Sequence, residues 1–577
     1  MMTPDFAERD PALRPMLDRV LSAEDRERIE PVLADAGAVA AGELDALAAV
    51  ADANPPVLRP YSPSGERIDE VDFHPAYRRM CELAFERFGL AAMSHRSGVH
   101  GWPTRAPHVA KYAISYLFVQ AEFGLACPVS MTDSAARVLR LFDPERYAAE
   151  IDALSATDLD RLATGAMFMT ERQGGTDIAQ TATEATDRGD HWTLRGQKWF
   201  ASNVTADVVL TLARVPGQGE GTRGLGMFLV PRLRPDGTRN SVRIDRLKEK
   251  LGARSMASGE VTLEDAYALP VGRLDRGFLQ MAEMLNVSRL SNAMRSSALM
   301  RRAVRESVDH TRERAVFGKP LFDQPLMRAT LLPMLLTAEA SLALVLESAA
   351  QLDAADAGEE SARELVRILT PMAKHLVCKE ARAVTGESME IRGGNGYIED
   401  WVDPRLLRDA HLGSIWEGSS NVIALDVLRC MRRSGNHRLL ADAYRARLKA
   451  LGAAAAELAA PVAALDRYWA ELLAAGDALL AAPEEEQQYA IGEYTDDLAR
   501  AVMATVLLEQ AEFESGDGAK ADRGHRGLMV ANAWLSLALG ARPSALRPAL
   551  ARLPELADGG AVPLAEAQAA LVVDSRV

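Results

Sequence analysis

Residues 169–177 read Met-Thr-Glu-Arg-Gln-Gly-Gly-Thr-Asp, and residues 198–203 read Lys-Trp-Phe-Ala-Ser-Asn. In the first stretch, paired glycines stand between two threonine hydroxyls. Backbone amides beside such glycines can approach an electron-rich ring and its phosphates closely. The same residues also fit an ordinary turn into a β-strand. In the second stretch, strand alternation puts Phe200 and Ser202 on one face. An aromatic beside a hydroxyl suits a flavin, whose ring would pack on that face while the hydroxyl bonds N5. Taken alone, an ordinary buried strand explains it better.

Outward from these stretches the pattern stays β-like. From about 165 to 270 the runs Trp192-Thr193-Leu194, Val208–Leu212, Met227–Val230 and Val261-Thr262-Leu263 are separated by Gly and Pro. This predicts an antiparallel β domain over 165–274. On either side the spacing is helical. Residues 1–164, with apolar stripes in 75–98 and 109–126 and Pro-rich connectors such as Asn54-Pro55-Pro56, predict an N-terminal helical domain. Four long helices are predicted at about 277–316, 324–352, 361–391 and 418–432, with an acidic connector Asp353–Glu360. They make a four-helix bundle domain over 275–436. In the third helix Leu365, Leu369, Met372, Leu376 and Val377 form one apolar stripe. Residues 437–577 predict a C-terminal helical domain, Ala-rich and broken at Pro461, Pro483, Ser515–Gly518 and Pro543. The fold class is α+β, mostly α.

The chain has 577 residues, of which 48% are apolar and 25% charged. At roughly 150 residues per domain, that length supports about four domains. The composition excludes a disordered chain, a collagen and a small disulfide scaffold. Lys+Arg 66 against Asp+Glu 81 gives −15, which argues against a protein that coats nucleic acid. Cys81, Cys127, Cys378 and Cys430 are scattered without CxxC and read as reduced thiols. The acidic N-terminus shows no basic-then-apolar leader, and the most apolar stretch, 329–350, carries Glu339 and Glu347. The expected location is cytoplasmic, with no membrane partner. The N-x-[ST] sequons at Asn203 and Asn286 then read as chance. Gly219–Gly224 spells GxGxxG but lies between two strand runs and opens no helix, so it is no dinucleotide site. The ten His show no HExxH and no cluster with Cys at ligand spacing, so no metal is expected.

Three further motifs carry chemistry. Arg312-Glu313-Arg314-Ala315-Val316-Phe317-Gly318-Lys319-Pro320 sets two arginines and a lysine around a Gly-Pro break. Such a cluster can hold a pyrophosphate, or simply solvate a helix end. Glu390-Ile391-Arg392-Gly393-Gly394-Asn395-Gly396-Tyr397 ends the third helix with more glycine than a cap needs. Ser414-Ile415-Trp416-Glu417-Gly418-Ser419-Ser420-Asn421 places a carboxylate just before a helix start. A Glu in an apolar setting has a raised pKa and can act as a base near neutrality; at a helix start it is more often a cap.

In this order and spacing the five motifs resemble the flavin-dependent acyl-CoA dehydrogenases over about residues 80–435. Phe73–Tyr77, the Gln-Gly-Gly-Thr-Asp form of the loop, Phe322–Arg328 and the helical C-terminal extension are similar to the AidB-like, alkylation-response branch. The resemblance implies FAD as cofactor, with Met169, Thr170, Gly175 and Thr176 lining the flavin, Phe200 against its ring and Ser202 reaching N5. It implies that Arg314, Phe317, Gln324, Gly393 and Gly394 contact FAD, several of them from a neighbouring subunit of a homotetramer. Ser419 and Asn421 would meet the pyrophosphate or adenosine. Glu417 falls on the catalytic base, and Arg289 on an arginine near the acyl-CoA. Three departures stand out: Asn286 where the family has Asp, Glu390 where it often has Gln, and Gln324 one residue early.

The implied activity is oxidation of a Cα–Cβ bond next to a thioester, acyl-CoA or carrier-bound. Two alternatives remain open. One is a flavoprotein that binds DNA or protects it from alkylation, through the basic stretch Arg429, Arg432, Arg433, His437, Arg438, Arg445, Arg447 and Lys449. The acidity of residues 438–577, with 13 Lys/Arg and 20 Asp/Glu, argues against a broad DNA face. The other is a flavin monooxygenase on the same fold, which Glu417 disfavours.

Overall fold

The computed structural model describes residues 5–516 and 523–573. Packing groups the chain into two compact units, not four consecutive domains. One unit comprises Val39–Pro107 and Ala121–Ser291. The other takes the residues up to Ala38, His108–Gln120 and the chain from Asn292 onward. This grouping by packing cuts across the expected boundaries at 164 and 436 for a simple reason. The helix His108–Val119 is buried almost all round, and such a helix must be enclosed by other helices. The expected bundle and the C-terminal helices likewise share one core.

The first unit is built on β-structure. Residues expected to be wholly helical contain a hairpin, β1 (Val57–Tyr61) and β2 (Arg67–Asp72). Pro55-Pro56 stops the preceding helix, and the strands are too short and polar to carry a helical stripe. The main sheet holds β3 (Gly165–Phe168), β4 (Glu184–Asp187), β5 (Trp192–Ser202), β6 (Val208–Arg214), β7 (Leu225–Pro231), β8 (Val242–Leu247) and β9 (Ser258–Pro270). Its order is β3-β6-β4-β5-β9-β7, with β8 on β9 and a further β6–β7 pairing that closes the sheet on itself. The sheet is mostly antiparallel, but β3 runs parallel to β6, from Gly165↔Val208 to Phe168↔Thr211. These two strands are joined by an excursion through β4 and β5, and a connection of that length permits parallel pairing. Phe168, Leu194, Phe228, Val261 and Leu263 fill the interior. The GxGxxG segment forms a short 3-10 turn between the antiparallel strands β6 and β7.

The helical unit is organised by α1 (Gly277–Glu313), α2 (Pro325–Asp356), α3 (Glu360–Ile391), α4 (Asp403–Gly413) and α5 (Ser420–Ser434). The first residues of α1, through Ser291, group with the β unit. There Gly277 is required by space, because a Cβ would lie 2.4 Å from the Met227 amide nitrogen. Helix α2 continues through Asp353 to Asp356, so the acidic connector shrinks to Ala357–Glu359. Helix α4 adds to the four expected from periodicity; it is only eleven residues long and lies between two glycine-rich motifs.

The chain continues with α6 (Asn436–Ala454), α7 (Ala459–Ala481), α8 (Glu484–Gly516) and α9 (Arg526–Ala538). Pro483 separates α7 from α8, whereas Pro461 sits in the first turn of α7, where its missing N–H costs nothing. Pro543 opens a 3-10 turn, and Asp517 and Gly518 lie outside the described residues. Helix α3 packs against α2, α4, α5 and α8. Among the described residues α2 is long and apolar enough to cross a membrane, but 78% of its apolar window is buried. Its two glutamates are answered from the C-terminal helices. Arg526 donates to Glu339 at 2.9 and 2.8 Å, and Arg447 to Glu347 at 2.6 and 3.1 Å. Removing either arginine would leave a buried charge without its partner.

Candidate active site

In the β unit, the loop after β3 is shaped by Glu171. Its Oε1 accepts from Lys198 Nζ at 2.8 Å and from the Thr183 hydroxyl at 2.5 Å. Its Oε2 accepts from the Ala182 amide and from Gln173 Nε2, both at 2.7 Å. Burial acts to raise the Glu171 carboxyl, but Lys198 and these donors outweigh it and hold the group below its usual 4.5. The Glu171 and Gly174 backbones also bond each other, at 3.0 and 3.2 Å. The turn so formed leaves Gly175, Thr176 and Asp177 exposed, with Met169 buried and Thr170 half-buried beneath it. Thr170 is tied to the second motif, its carbonyl accepting from the Trp199 amide at 2.8 Å.

Simple alternation would put Lys198, Phe200 and Ser202 on one face. A register shift between Lys198 and Ala201 prevents this. The bulge lets Lys198 point inward, fully buried, while Phe200 emerges with 54% of its surface exposed. Ala201 then faces in, and Ser202 lies out beside Ser258, hydroxyls 3.3 Å apart. Lys248 Nζ lies 3.7 Å from the Trp199 ring centre and 4.7 Å from that of Phe200. Asn203 closes the strand at φ +53°, its side-chain amide donating to the Gly165 carbonyl at 3.0 Å. Arg289, on the part of α1 in this unit, is 8% exposed, with Asn286 half-buried one turn earlier.

In the helical unit, Glu417 lies between α4 and α5 at φ +58°, followed by Gly418 at φ +103°. The left-handed region is costly for Glu and free for Gly. Three side chains hold the segment there. Asn292 Nδ2 donates to the Gly413 carbonyl at 2.8 Å, and its Oδ1 accepts from Trp416 Nε1 at 2.7 Å. Lys374 Nζ donates to the Gly418 carbonyl, and His375 Nδ1 is 3.0 Å from the Ser420 carbonyl. Arg295 lies 4.6 Å above the Trp416 ring. Ser419 caps α5 without a side-chain bond, and Ser419 and Asn421 are both exposed at that helix start.

Two glycine motifs stand elsewhere in this unit. Arg314 precedes a two-stranded hairpin, β10 (Ala315–Val316) and β11 (Lys319–Pro320), turned by Phe317 at φ +50° and Gly318 at φ +83°. Phe317 is 98% exposed at the tip, and Arg314 is also exposed. Gln324 Nε2 braces this hairpin through the Val316 carbonyl at 3.0 Å. Arg312 does not join a cationic cluster: its guanidinium is held by Asp558 at 2.9 and 2.7 Å. After α3, Gly393 has φ +67°, and a Cβ on Gly393 or Gly394 would meet nothing within 4 Å. Gly396 differs, because a Cβ there would strike the Met389 carbonyl at 2.1 Å. Packing within the chain thus explains Gly396 but not the bareness of Gly394.

Asn292, Lys374, His375 and Lys248 lie outside the five motifs, and sequence reasoning missed them. The one signal for Lys374 and His375 is a polar pair interrupting the apolar stripe of α3. The basic stretch that runs from α5 into α6 is largely neutralised. Arg429 faces Asp426 at 2.8 Å, Arg432 faces Glu484 at 3.5 Å, and His437 and Arg438 face Asp477 at 3.2 and 2.8 Å. Arg445 faces Asp466 at 2.8 Å, and Arg447 is held by Glu347 at 2.6 Å.

Family comparisons agree with this geometry along the chain. Residues 275–431 match the acyl-CoA dehydrogenase C-terminal domain and residues 166–266 its middle domain. Residues 1–161 match the adaptive response protein AidB N-terminal domain. The putative acyl-CoA dehydrogenase AidB of Escherichia coli is 38% identical over 69% of this chain and 73% of that one. The chain belongs to the acyl-CoA dehydrogenase family, in its AidB-like branch. Acyl-CoA dehydrogenase family member 11 of Caenorhabditis elegans is 34% identical over 75% of this chain and 71% of its own length. A crystal structure of Caenorhabditis elegans ACDH-11 in complex with C11-CoA superposes with a TM-score of 0.84. That comparison has 28% identity and covers 92% of this chain and 90% of that one. The chain is therefore an FAD-dependent oxidoreductase of the acyl-CoA dehydrogenase type.

The residues present fit FAD. The exposed Phe200 with Ser202 beside it offers a flat apolar surface next to a hydroxyl. The start of α5, with Ser419 not engaged as a side-chain cap, offers amides and a hydroxyl suited to phosphate. Gly394 leaves backbone open to another molecule.

Proposed function

We propose that this protein oxidises the Cα–Cβ bond of an acyl thioester to the 2-enoyl thioester, with Glu417 as the base. The observation that carries this reading is the Glu417 segment itself. A glutamate is held in the left-handed region at φ +58° by the bonds that Asn292, Lys374 and His375 make to its segment, a conformation that is costly for any residue but glycine. Glu417 takes the α-proton onto its carboxylate. FAD, when bound, would supply the two-electron acceptor for the hydride leaving the β-carbon. Met169, Thr170, Gly175 and Thr176 would hold the flavin edge, with Phe200 against its ring and Ser202 at N5. Arg289 addresses the thioester carrier. The Caenorhabditis elegans protein in the superposed crystal structure is in complex with C11-CoA, which supports a medium-length acyl-CoA as the first substrate to try.

The assembly is a homotetramer in this reading. A phenylalanine that is 98% exposed, on a hairpin braced by Gln324, supports contact of Phe317 and Arg314 with FAD held by a neighbouring copy. No observation favours the DNA-binding or monooxygenase alternatives, and the acid partners of the basic stretch weigh against the first.

The test is anaerobic titration of the yellow protein with a panel of acyl-CoAs. Wild type should bleach with at least one. Glu417→Gln should bind the same thioester but reduce at least about 100-fold more slowly. Bleaching of Glu417→Gln at the wild-type rate would refute the assignment of the base.

A further inference from the structure

His375 lies in α3 and is 2% exposed. Its Nδ1 sits 3.0 Å from the Ser420 carbonyl, at the end of the Glu417 segment. Its Nε2 sits 3.3 Å from Asp496 Oδ1. Asp496 belongs to α8, in the helical extension beyond residue 436. The same helix is moored to α3 at two further points. Asp496 Oδ2 is 3.7 Å from Lys379, and Arg500 is 3.6 Å from Glu380.

Nδ1 therefore has a hydrogen-bond acceptor in the Ser420 carbonyl, while Nε2 faces the Asp496 carboxylate at ion-pair distance with no hydrogen bond between them. Imidazole can donate at both only when protonated. A neutral ring that keeps its Nδ1 proton for Ser420 turns a lone pair toward Asp496. The carbonyl is one of the points that fix the left-handed turn at Glu417, together with Lys374 on the Gly418 carbonyl.

We propose that Asp496 and His375 are positioning residues for Glu417. Helix α8 orients the imidazole, and the imidazole holds the Ser420 carbonyl. The base-bearing segment is then set from an element that lies outside the dehydrogenase domains proper. This rests on the reading of Glu417 as the base. It also gives the C-terminal extension a role in the reaction. The charged groups facing the ring are Lys374 and Lys379 from α3 and Asp496 from α8; α5 offers only the Ser420 carbonyl. Burial and the two lysines disfavour the imidazolium, and Asp496 favours it. The Asp496 contact is thus strongest when the imidazole is protonated and the carboxylate is not. It weakens as pH rises through the histidine's titration, which burial moves below the ordinary 6.5.

The experiment uses the full-length, FAD-loaded protein with Asp496→Ala and Asp496→Asn, assayed from pH 5 to 9. Two rates are read: flavin reduction by an acyl-CoA in anaerobic stopped flow, and exchange of the substrate α-proton with D2O by NMR. The second needs the base but no hydride transfer. Asp496→Ala should slow both by about tenfold at pH 5 and progressively less as pH rises, with the half-saturating acyl-CoA concentration unchanged. Asn can donate its amide to a neutral Nε2, so Asp496→Asn should return both rates to within about twofold of wild type. It should also flatten their pH dependence. If Asp496→Ala fails to fold, the pH profile of Asp496→Asn decides. Wild-type rates in Asp496→Ala, a change confined to half-saturation, or a wild-type pH profile in Asp496→Asn overturn the relay alone. Wild type that exchanges no α-proton with any acyl-CoA overturns the base and the relay together.

Discussion

Lys198→Met removes an ammonium from a pair whose side chains are 0% and 2% exposed. Methionine keeps the length and apolar bulk of the lysine stem. What is lost is the bond to Glu171 Oε1 at 2.8 Å and the bond to the Leu212 carbonyl at 3.1 Å. Deleting one partner of a buried ion pair costs about 3–5 kcal/mol, because the other charge stays buried. Here Glu171 keeps the Thr183 hydroxyl and amide, the Ala182 amide and the Gln173 side chain. The cost should therefore fall at the low end, about 3 kcal/mol. For a cooperative unit of this size, at roughly 2–4 °C per kcal/mol, that lowers Tm by about 6–12 °C. Glu171→Gln should cost more, since Lys198 then retains one full acceptor, the Leu212 carbonyl, and a weaker amide oxygen. The pair should show a coupling energy of at least about 1.5 kcal/mol in a double-mutant cycle. Urea unfolding followed by tryptophan fluorescence reads this directly, because Trp192 and Trp199 lie in the same strand as Lys198. The carboxylate that pairs with Lys198 also shapes residues 170–177, so flavin retention should fall in step with stability. A loss under about 1 kcal/mol with flavin fully retained would show that the loop is set by something other than this pair.

Acid should unfold the protein through two buried glutamates and one half-buried one. Burial acts to raise Glu171, Glu306 and Glu347, but Lys198, Arg302 and Arg447 respectively outweigh it and hold each below 4.5. Their folded values are depressed, so the stability they contribute is fully present above about 4.5 and lost as pH falls through those lowered values. Calorimetry should show Tm dropping steeply below that point; equal Tm at pH 3.5 and pH 6 would contradict the argument. Phe317→Gly relieves a left-handed phenylalanine and removes an exposed ring, so the isolated chain should gain up to about 1 kcal/mol. Sedimentation should nonetheless show weaker assembly with lower FAD occupancy, and a variant that keeps both unchanged would remove the neighbour-contact role of the hairpin.

The sequence carried the fold because periodicity changes from helical to alternating and back, and because five motifs follow one another at fixed intervals. It could not show that Lys198 turns inward, since the register shift in β5 is set by pairing with β9, a strand about 60 residues further on. Nor could it show that Arg312 belongs to Asp558, or that most of the basic stretch from α5 into α6 is answered by acids on other helices. Local spacing assigns a face to a side chain but does not name the partner that another element brings to it. The division into two units was hidden for the same reason: His108–Val119 reads as one amphipathic helix among several, and only its near-complete burial reveals that it belongs with the long helices.

Backbone conformation separates the motif residues that act from those that merely fold. Among the described residues seven non-glycine positions have positive φ: Asp69, His100, Asn203, Ala253, Asp265, Phe317 and Glu417. Three of these lie inside motifs singled out from sequence. Asn203 tolerates the left-handed region, and its buried side chain bonds Gly165, so a structural role accounts for it. Phe317 and Glu417 have no such intrinsic tolerance. Phe317 points 98% of its surface outward, so no packing within its own chain repays the strain. Glu417 is held by bonds made to its neighbours Trp416, Gly418 and Ser420. Strained backbone that the surrounding structure enforces clusters at functional sites. In the proposed function the site is the contact with a neighbouring copy for Phe317 and with the substrate for Glu417.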